Sequence, residues 1–214
     1  MAYNFNGTNQ YLSGSGAPVF TPPFTLSARF NTTVNNVSQI FGALVNTANL
    51  DRHNFFVASA GGISASTTRA DGTLNGVTGT SNNATVVTTG QWHHAAGVYR
   101  STTNRQIYFN SISGTANTTS LPVTVVNMQI GARIAPGVTL VPFSGNIADF
   151  GVWDIDLSDG EIASLSKGFS CHKIRPTSLV FHAPLVRVIQ DTVGNLVLTN
   201  INTATVSNQP RIYL

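Results

Sequence analysis

Charge is what this chain has least of. Of its 214 residues, 11 are Lys or Arg and 8 are Asp or Glu, 9% in all, against roughly 25% in an ordinary soluble domain. Glutamate occurs once, at Glu161. Glycoside hydrolysis needs two carboxylates facing one bond, so this acid inventory argues against an enzyme. Cysteine also occurs once, at Cys171. That excludes an internal disulfide framework and a Cys-rich zinc site. No run of 18 apolar residues is present, so no membrane-spanning helix is expected. The opening Met1-Ala2-Tyr3-Asn4-Phe5-Asn6-Gly7 lacks a basic stretch followed by an apolar one, so no secretory signal is read. Net charge is +3 and the basic residues stand singly. Neither a nucleic-acid partner nor a membrane is expected. A surface so poor in charge suits a protein packed against copies or partners rather than diffusing alone.

Helical periodicity is nearly missing too. What is present is a series of short segments rich in Val, Ile, Phe, Tyr and Thr, broken by Gly, Asn, Pro and Ser. This is the pattern of many short strands. The segments fall at 3–6, 10–13, 24–31, 37–44, 54–59, 62–68, 73–79, 84–89, 92–100, 105–110, 121–125, 127–134, 144–153 and 178–183. Asn6-Gly7, Asp71-Gly72 and Asn75-Gly76 supply turns with positive φ. Alternation is clear in Thr25-Leu26-Ser27-Ala28-Arg29-Phe30. The fold class expected is all-β, a two-sheet antiparallel sandwich. One short helix is expected near 159–167. Ser158-Asp159-Gly160-Glu161 fits a capping box, Ile162, Leu165 and Phe169 form an apolar stripe, and Gly168 ends it. Residues 1–183 read as the sandwich. Residues 184–214 read as an appendage on the same domain or on a partner.

Candidate chemistry is sparse. Asp154-Ile155-Asp156 sits where a strand exits into the capped helix, and acids favour a helix N-terminus. Calcium wants six to eight oxygens. Asp51 and Asp71, each alone in a loop, are weak candidates for it, and no cofactor is expected. His93 and His94 are neighbours on a strand and point to opposite faces, so one is expected inside and one outside. His53, His172 and His182 show no ligand spacing, and Cys171-His172 has no orienting context. Trp92 and Trp153 lie in apolar strand motifs and read as core; Phe55, Phe56 and Phe143 are no more diagnostic as sugar platforms.

The segments Phe5-Asn6-Gly7-Thr8-Asn9-Gln10-Tyr11-Leu12, Phe24-Thr25-Leu26-Ser27-Ala28-Arg29-Phe30 and Gly90-Gln91-Trp92-His93-His94 occur in that order. Gln106-Ile107-Tyr108-Phe109-Asn110, Ile130-Gly131-Ala132-Arg133 and Phe143 through Trp153 follow them. Together this set resembles laminin-G-like, concanavalin A-like jelly-roll domains over about residues 3–166. That resemblance implies a jelly-roll fold, which hosts lectins, adhesion modules, glucanases and structural spacers. Lys167-Gly168-Phe169-Ser170, Ile174-Arg175-Pro176, Leu179-Val180-Phe181 and Pro210-Arg211-Ile212-Tyr213 resemble tails on laminin-G-like proteins of tailed bacteriophages. The resemblance implies a non-enzymatic virion protein, a capsid decoration or head-fibre protein. It would form homo-oligomers and pack on the major capsid protein or other virion proteins. Ile212, Tyr213, Leu214 and Tyr3 are the expected contact residues. The alternative is a carbohydrate-binding attachment module with a glycan as partner.

Overall fold

A computed structural model describes the chain except residues 1, 38, 70–76, 84, 121, 135–139, 188 and 208–214; residues 40 and 77–83 are described in backbone only. Two antiparallel sheets face each other. In chain order the strands are β1 (Ala2–Asn6), β2 (Tyr11–Gly14), β3 (Phe24–Thr32), β4 (Gln39–Val45), β5 (Arg52–Val57), β6 (Ile63–Arg69), β7 (Val77–Asn83), β8 (His93–Ser101) and β9 (Asn104–Phe109). They continue as β10 (Ile112–Ser113), β11 (Asn127–Ile130), β12 (Ala132–Arg133), β13 (Val141–Pro142), β14 (Ser144–Trp153), β15 (Leu179–Ala183), β16 (Leu198–Ile201) and β17 (Thr205–Ser207). One sheet has eight strands in the order β10-β9-β8-β3-β14-β1-β17, with β15 also on β14. The other has seven, ordered β16-β2-β11-β4-β5-β6-β7. The all-β sandwich with one α-helix expected from the sequence is present.

Alternation dictates which side chains meet. On β3, Phe24, Leu26, Ala28 and Phe30 enter the core between the sheets, while Thr25, Ser27 and Arg29 occupy the opposite positions. On β8, Ala95 and Tyr99 join that core, and Ala96 and Val98 face the other way. The Tyr99 hydroxyl donates to the Asn54 carbonyl at 2.7 Å, tying one sheet to the other. On β14 a bulge shifts the register to β3 between Ala148 and Gly151. The extra residue lets Ile147, Phe150 and Val152 share the inner face despite their spacing.

The outer face of the eight-stranded sheet is covered by α1 (Asp159–Ser166) and the turn Cys171–Lys173. The capping box forms: the Glu161 carboxylate accepts the Ser158 N–H at 2.8 Å and the Ser158 hydroxyl at 2.7 Å. At the other end the Gly168 N–H bonds Leu165 O and the Phe169 N–H bonds Ser164 O. Gly168 takes φ 111° there, which makes this a Schellman ending. Ile162 and Leu165 are buried, but Phe169 is 44% exposed, because the reversal turns it off the stripe.

Other departures have local causes. Segment 85–88 is not a strand, because the Val87 N–H goes to Gly61 O and Val87 O accepts from the Asn35 amide. Segment 122–125 is likewise irregular, pinned by the Thr124 N–H to the Asp51 carboxylate and the Asn46 amide to Thr124 O. Residues 198–201 and 205–207, not expected as strands, pair with β2 and β1. Asn110 and Ser111 both have positive φ, 47° and 69°, as a two-residue hairpin turn requires. The turns Asp71-Gly72 and Asn75-Gly76 lie outside the described residues.

Candidate functional site

The concavity at the rim of the sandwich holds about 440 Å³, within the usual range for small-ligand pockets. Three stretches of the chain line it. The β1–β2 turn gives Asn6 and Gly7, and the approach to β4 gives Val34 and Val37. Gln39 opens β4, Leu140, Val141 and Pro142 belong to the β13 region, and Ser144 opens β14. The turn is held by Asn6, whose Oδ1 accepts the N–H of Thr8 at 2.9 Å and of Asn9 at 3.1 Å. Gly7 turns with φ 71°, and a Cβ there would stand 2.7 Å from Ser144 Cβ.

Buried Gln39 fixes the floor. Its Nε2 donates to Val34 O at 2.5 Å, and its Oε1 accepts the Ser144 N–H at 2.8 Å and the Thr32 hydroxyl at 3.1 Å. Thr33 and Ser144 hydroxyls lie 2.6 Å apart. The walls are therefore preset by internal hydrogen bonds. Among the described residues, the lining mixes amide and hydroxyl groups with aliphatic ones, and none of them is charged. Such a lining can hold an uncharged ligand through hydrogen bonds and apolar contact.

A second cluster lies under the helix, on the outer face of the eight-stranded sheet. There Arg29, His94, Asp149, Cys171 and His182 are all buried. The Arg29 guanidinium donates to Leu165 O, at the helix C-terminal end. Burial lowers its pKa, with Asp149 opposing the shift. His94 shares a hydrogen bond with Ser27 Oγ at 2.9 Å; burial, then the Arg29 charge, push its pKa down to about 3. Burial and the Asp149 charge hold the Cys171 thiol well up. His182 Nε2 lies 2.8 Å from Asp149 Oδ1.

The residues singled out in the sequence end up in varied places. Asp51 serves its own loop: its N–H bonds Asn49 Oδ1 at 2.7 Å and its carboxylate accepts from Thr124. Among the described residues, the group of three metal-capable side chains that converges is Asp149, Cys171 and His182, without Asp51. Asp71, Ile212, Tyr213 and Leu214 lie outside the described residues. Tyr3, expected at a partner surface, is buried at 7% exposure, and its hydroxyl donates to Arg187 O. It alternates into the inter-sheet core.

His93 and His94 do face opposite ways, but both are buried, because the sheet is covered on both sides. His93 packs on Phe30 and Phe109 within the sandwich. Trp153, Phe55 and Phe143 are fully buried, and Trp153 Nε1 donates to Ile174 O at 2.8 Å. Phe56 packs on Ala43 and Val45. Asp154 and Asp156 are exposed; Asp156 approaches Arg100 at 3.9 Å. The sequence reading missed most of the cleft. Asn6-Gly7 and Ser144 stood in recognisable motifs, and the other lining residues carry no local signature.

Comparison with known proteins supplies three findings. A family model described as the concanavalin A-like lectin/glucanases superfamily matches residues 6–163. No curated protein matches the chain in sequence. Solved structures match in fold. A heptameric SAP-like pentraxin from Limulus polyphemus aligns at TM-score 0.61 and 15% identity, over 77% of this chain and 81% of the other. The Ruminococcus gnavus IT-sialidase CBM40 bound to α2,3 sialyllactose aligns at 0.59 and 18%, over 78% and 98%. Domain 4 of a GH43 extracellular arabinanase from Geobacillus stearothermophilus, in complex with arabinotriose, aligns at 0.56 and 17%, over 77% and 76%.

Proposed function

Starting from the fact that the chain belongs to the concanavalin A-like lectin/glucanase superfamily, we propose that it is a non-catalytic carbohydrate-binding domain. The observation that carries this reading is the uncharged rim cleft built from Asn6, Gln39 and Ser144 beside Val34, Val37 and Pro142. Gln39 holds the floor from beneath, while sugars would present hydroxyls to exposed Asn6 and half-buried Ser144 and C–H faces to the aliphatic groups. A lining without charge offers no counter-ion for an acidic sugar, so the ligand is a neutral oligosaccharide. Fold relatives support the class: the CBM40 domain holds sialyllactose and the arabinanase domain holds arabinotriose. The two ligands differ, as expected when one scaffold carries different sites.

Packing within a phage virion, the other role read from the sequence, rests on the C-terminal motifs and the low charge. The sugar-bound fold relatives favour glycan binding over it. A glycan array followed by calorimetry tests the proposal. Neutral oligosaccharides are expected to bind. Val37→Arg, at a position 49% exposed on the cleft wall, is expected to fold normally and to lower affinity at least about tenfold, since a buried unpaired charge opposes docking. An array with no neutral hit, or undiminished binding by the variant, would overturn it.

A further inference from the structure

We infer that Asp149, Cys171 and His182 form a binding site for a thiophilic divalent cation of the zinc class, which ties the C-terminal third of the chain to the sandwich. Their ligating atoms, a carboxylate oxygen, a thiol sulfur and an imidazole nitrogen, all lie within 4.8 Å of one another. Zinc takes this donor set at about 2.0–2.3 Å per bond in a tetrahedron. Neighbouring donors of such a tetrahedron stand roughly 3.3–3.8 Å apart by the same geometry. The 2.8 Å between His182 Nε2 and Asp149 Oδ1 has only to open modestly. All three side chains are almost fully buried, so water does not compete for them. Magnesium and calcium, which want six or more oxygens, fit the set poorly.

The hydrogen bonds around His182 can accommodate a cation. The Thr192 hydroxyl lies 3.0 Å from His182 Nδ1, 3.0 Å from His172 Nε2 and 3.2 Å from the His182 carbonyl. A proton shared between Nε2 and the Asp149 carboxylate spans their 2.8 Å contact, and an entering cation would displace that proton. The ring can then keep its proton on Nδ1 and give it to the Thr192 oxygen, as ligating histidines do to a fixed acceptor. Buried Asp191 fixes the main chain here, its carboxylate accepting the His182 backbone N–H at 3.1 Å.

The backbone also pays attention to this point. Asp149 is the non-glycine residue inside a described strand with positive φ, 49°, and it sits at the β14 bulge. Such strain persists where surrounding structure over-determines it. The three donors come from β14, the turn after α1 and β15, separated by 22 and 11 residues, so one ion would cross-link three elements. Arg29, also buried nearby, offsets the two anionic donors. The fourth position falls to a water carried in with the ion.

Zinc content of the purified full chain after dialysis, and cobalt(II) titration of the chelated protein, test the site. About one zinc per chain is expected, with a near-ultraviolet sulfur-to-cobalt charge-transfer band. Cys171→Ser should abolish that band and weaken zinc binding at least about tenfold, the low end of losses seen even for second-shell changes. Zinc, but not magnesium, should raise the Tm of the chelated chain. Folded chelated protein that takes up no zinc, or a cobalt band unchanged in Cys171→Ser, would overturn the assignment. If Cys171→Ser fails to fold, competition between the wild-type chain and a chromogenic chelator decides the same question. There, zinc retained against the chelator supports the site, and zinc surrendered at once refutes it. None of these readouts depends on glycan binding.

Discussion

The two faces of the eight-stranded sheet are both buried, by different chemistry. Its inner face meets the second sheet through hydrocarbon: Phe24, Leu26, Phe30, Ile147, Phe150 and Val152 belong to one continuous core. Its outer face meets the helix and the 170–180 segment through Trp153, Leu157, Ile162 and Leu165. Those apolar groups surround a polar cluster of Arg29, His94, Asp149 and His182. Two histidines lie in the inner core: His53 of β5 packs edge-on against Phe24 and Tyr99, and His93 packs on Phe30 and Phe109. The outer face holds ionisable side chains set among apolar ones. A sheet covered on one side needs alternating apolar and polar residues. This one needs both sets inside, and the second set had to find partners.

Three measurements sharpen that comparison. Phe30→Ala on the inner face and Trp153→Ala on the outer are each expected to cost about 3–5 kcal/mol in denaturant unfolding. A cost under about 1 kcal/mol for Trp153→Ala would show the outer face to be a lightly covered surface, breaking the comparison.

The second concerns acid. His53 inside and His94 outside are both held neutral by burial, with pKa values down to about 3, and Arg105 and Arg29 respectively add to the shift. Unfolded rings titrate near 6.5. Between those values the unfolded chain binds protons that the folded chain refuses. Stability is therefore full above about pH 6.5 and falls as pH drops toward 3, by about 1 kcal/mol per pH unit for each ring. Calorimetric Tm between pH 7 and 4.5 should decline, and His53→Gln and His94→Gln should each flatten the decline by a comparable amount. A decline insensitive to both variants would place the acid response elsewhere.

The smallest effects belong to the exposed rim of the outer layer. Glu161→Ala removes the capping box and the pairing with Arg175 and should cost about 1 kcal/mol. Burial raises the Glu161 carboxyl, but hydrogen bonds from Ser158 and the Arg175 guanidinium outweigh it and hold it below its usual range. This contribution is therefore lost as pH falls through that lowered value. Phe169→Ser, beyond the helix end, should stay within about 0.5 kcal/mol by chemical unfolding.

Much of the sandwich was legible residue by residue. Phe24, Leu26, Ala28 and Phe30 alternate with polar neighbours because period two is the only way a strand can bury one face. Ser158 and Glu161 mark their helix because free N–H groups at its start demand acceptors. The bulge at Asp149 was not legible, since one inserted residue leaves the local pattern apolar on either side. The strands at 198–201 and 205–207 were missed because their short apolar pairs depend on β2 and β1 for partners. The rim cleft joins three distant stretches of chain with no shared local sign. Cys171 and His182, which showed no ligand spacing, meet Asp149 only through the pairing of β14 with β15 and the turn after the helix.

Sequence alone determined the class of fold, the start and end of the helix, and the scarcity of acids that leaves the cleft uncharged. These follow from short-range rules: alternation, capping and composition. Tertiary structure decided which faces are covered, why both neighbouring histidines are inside, which three stretches shape the cleft, and which three donors converge beneath the helix. Those outcomes depend on contacts between residues tens of positions apart, and no local pattern encodes a distance across a sheet.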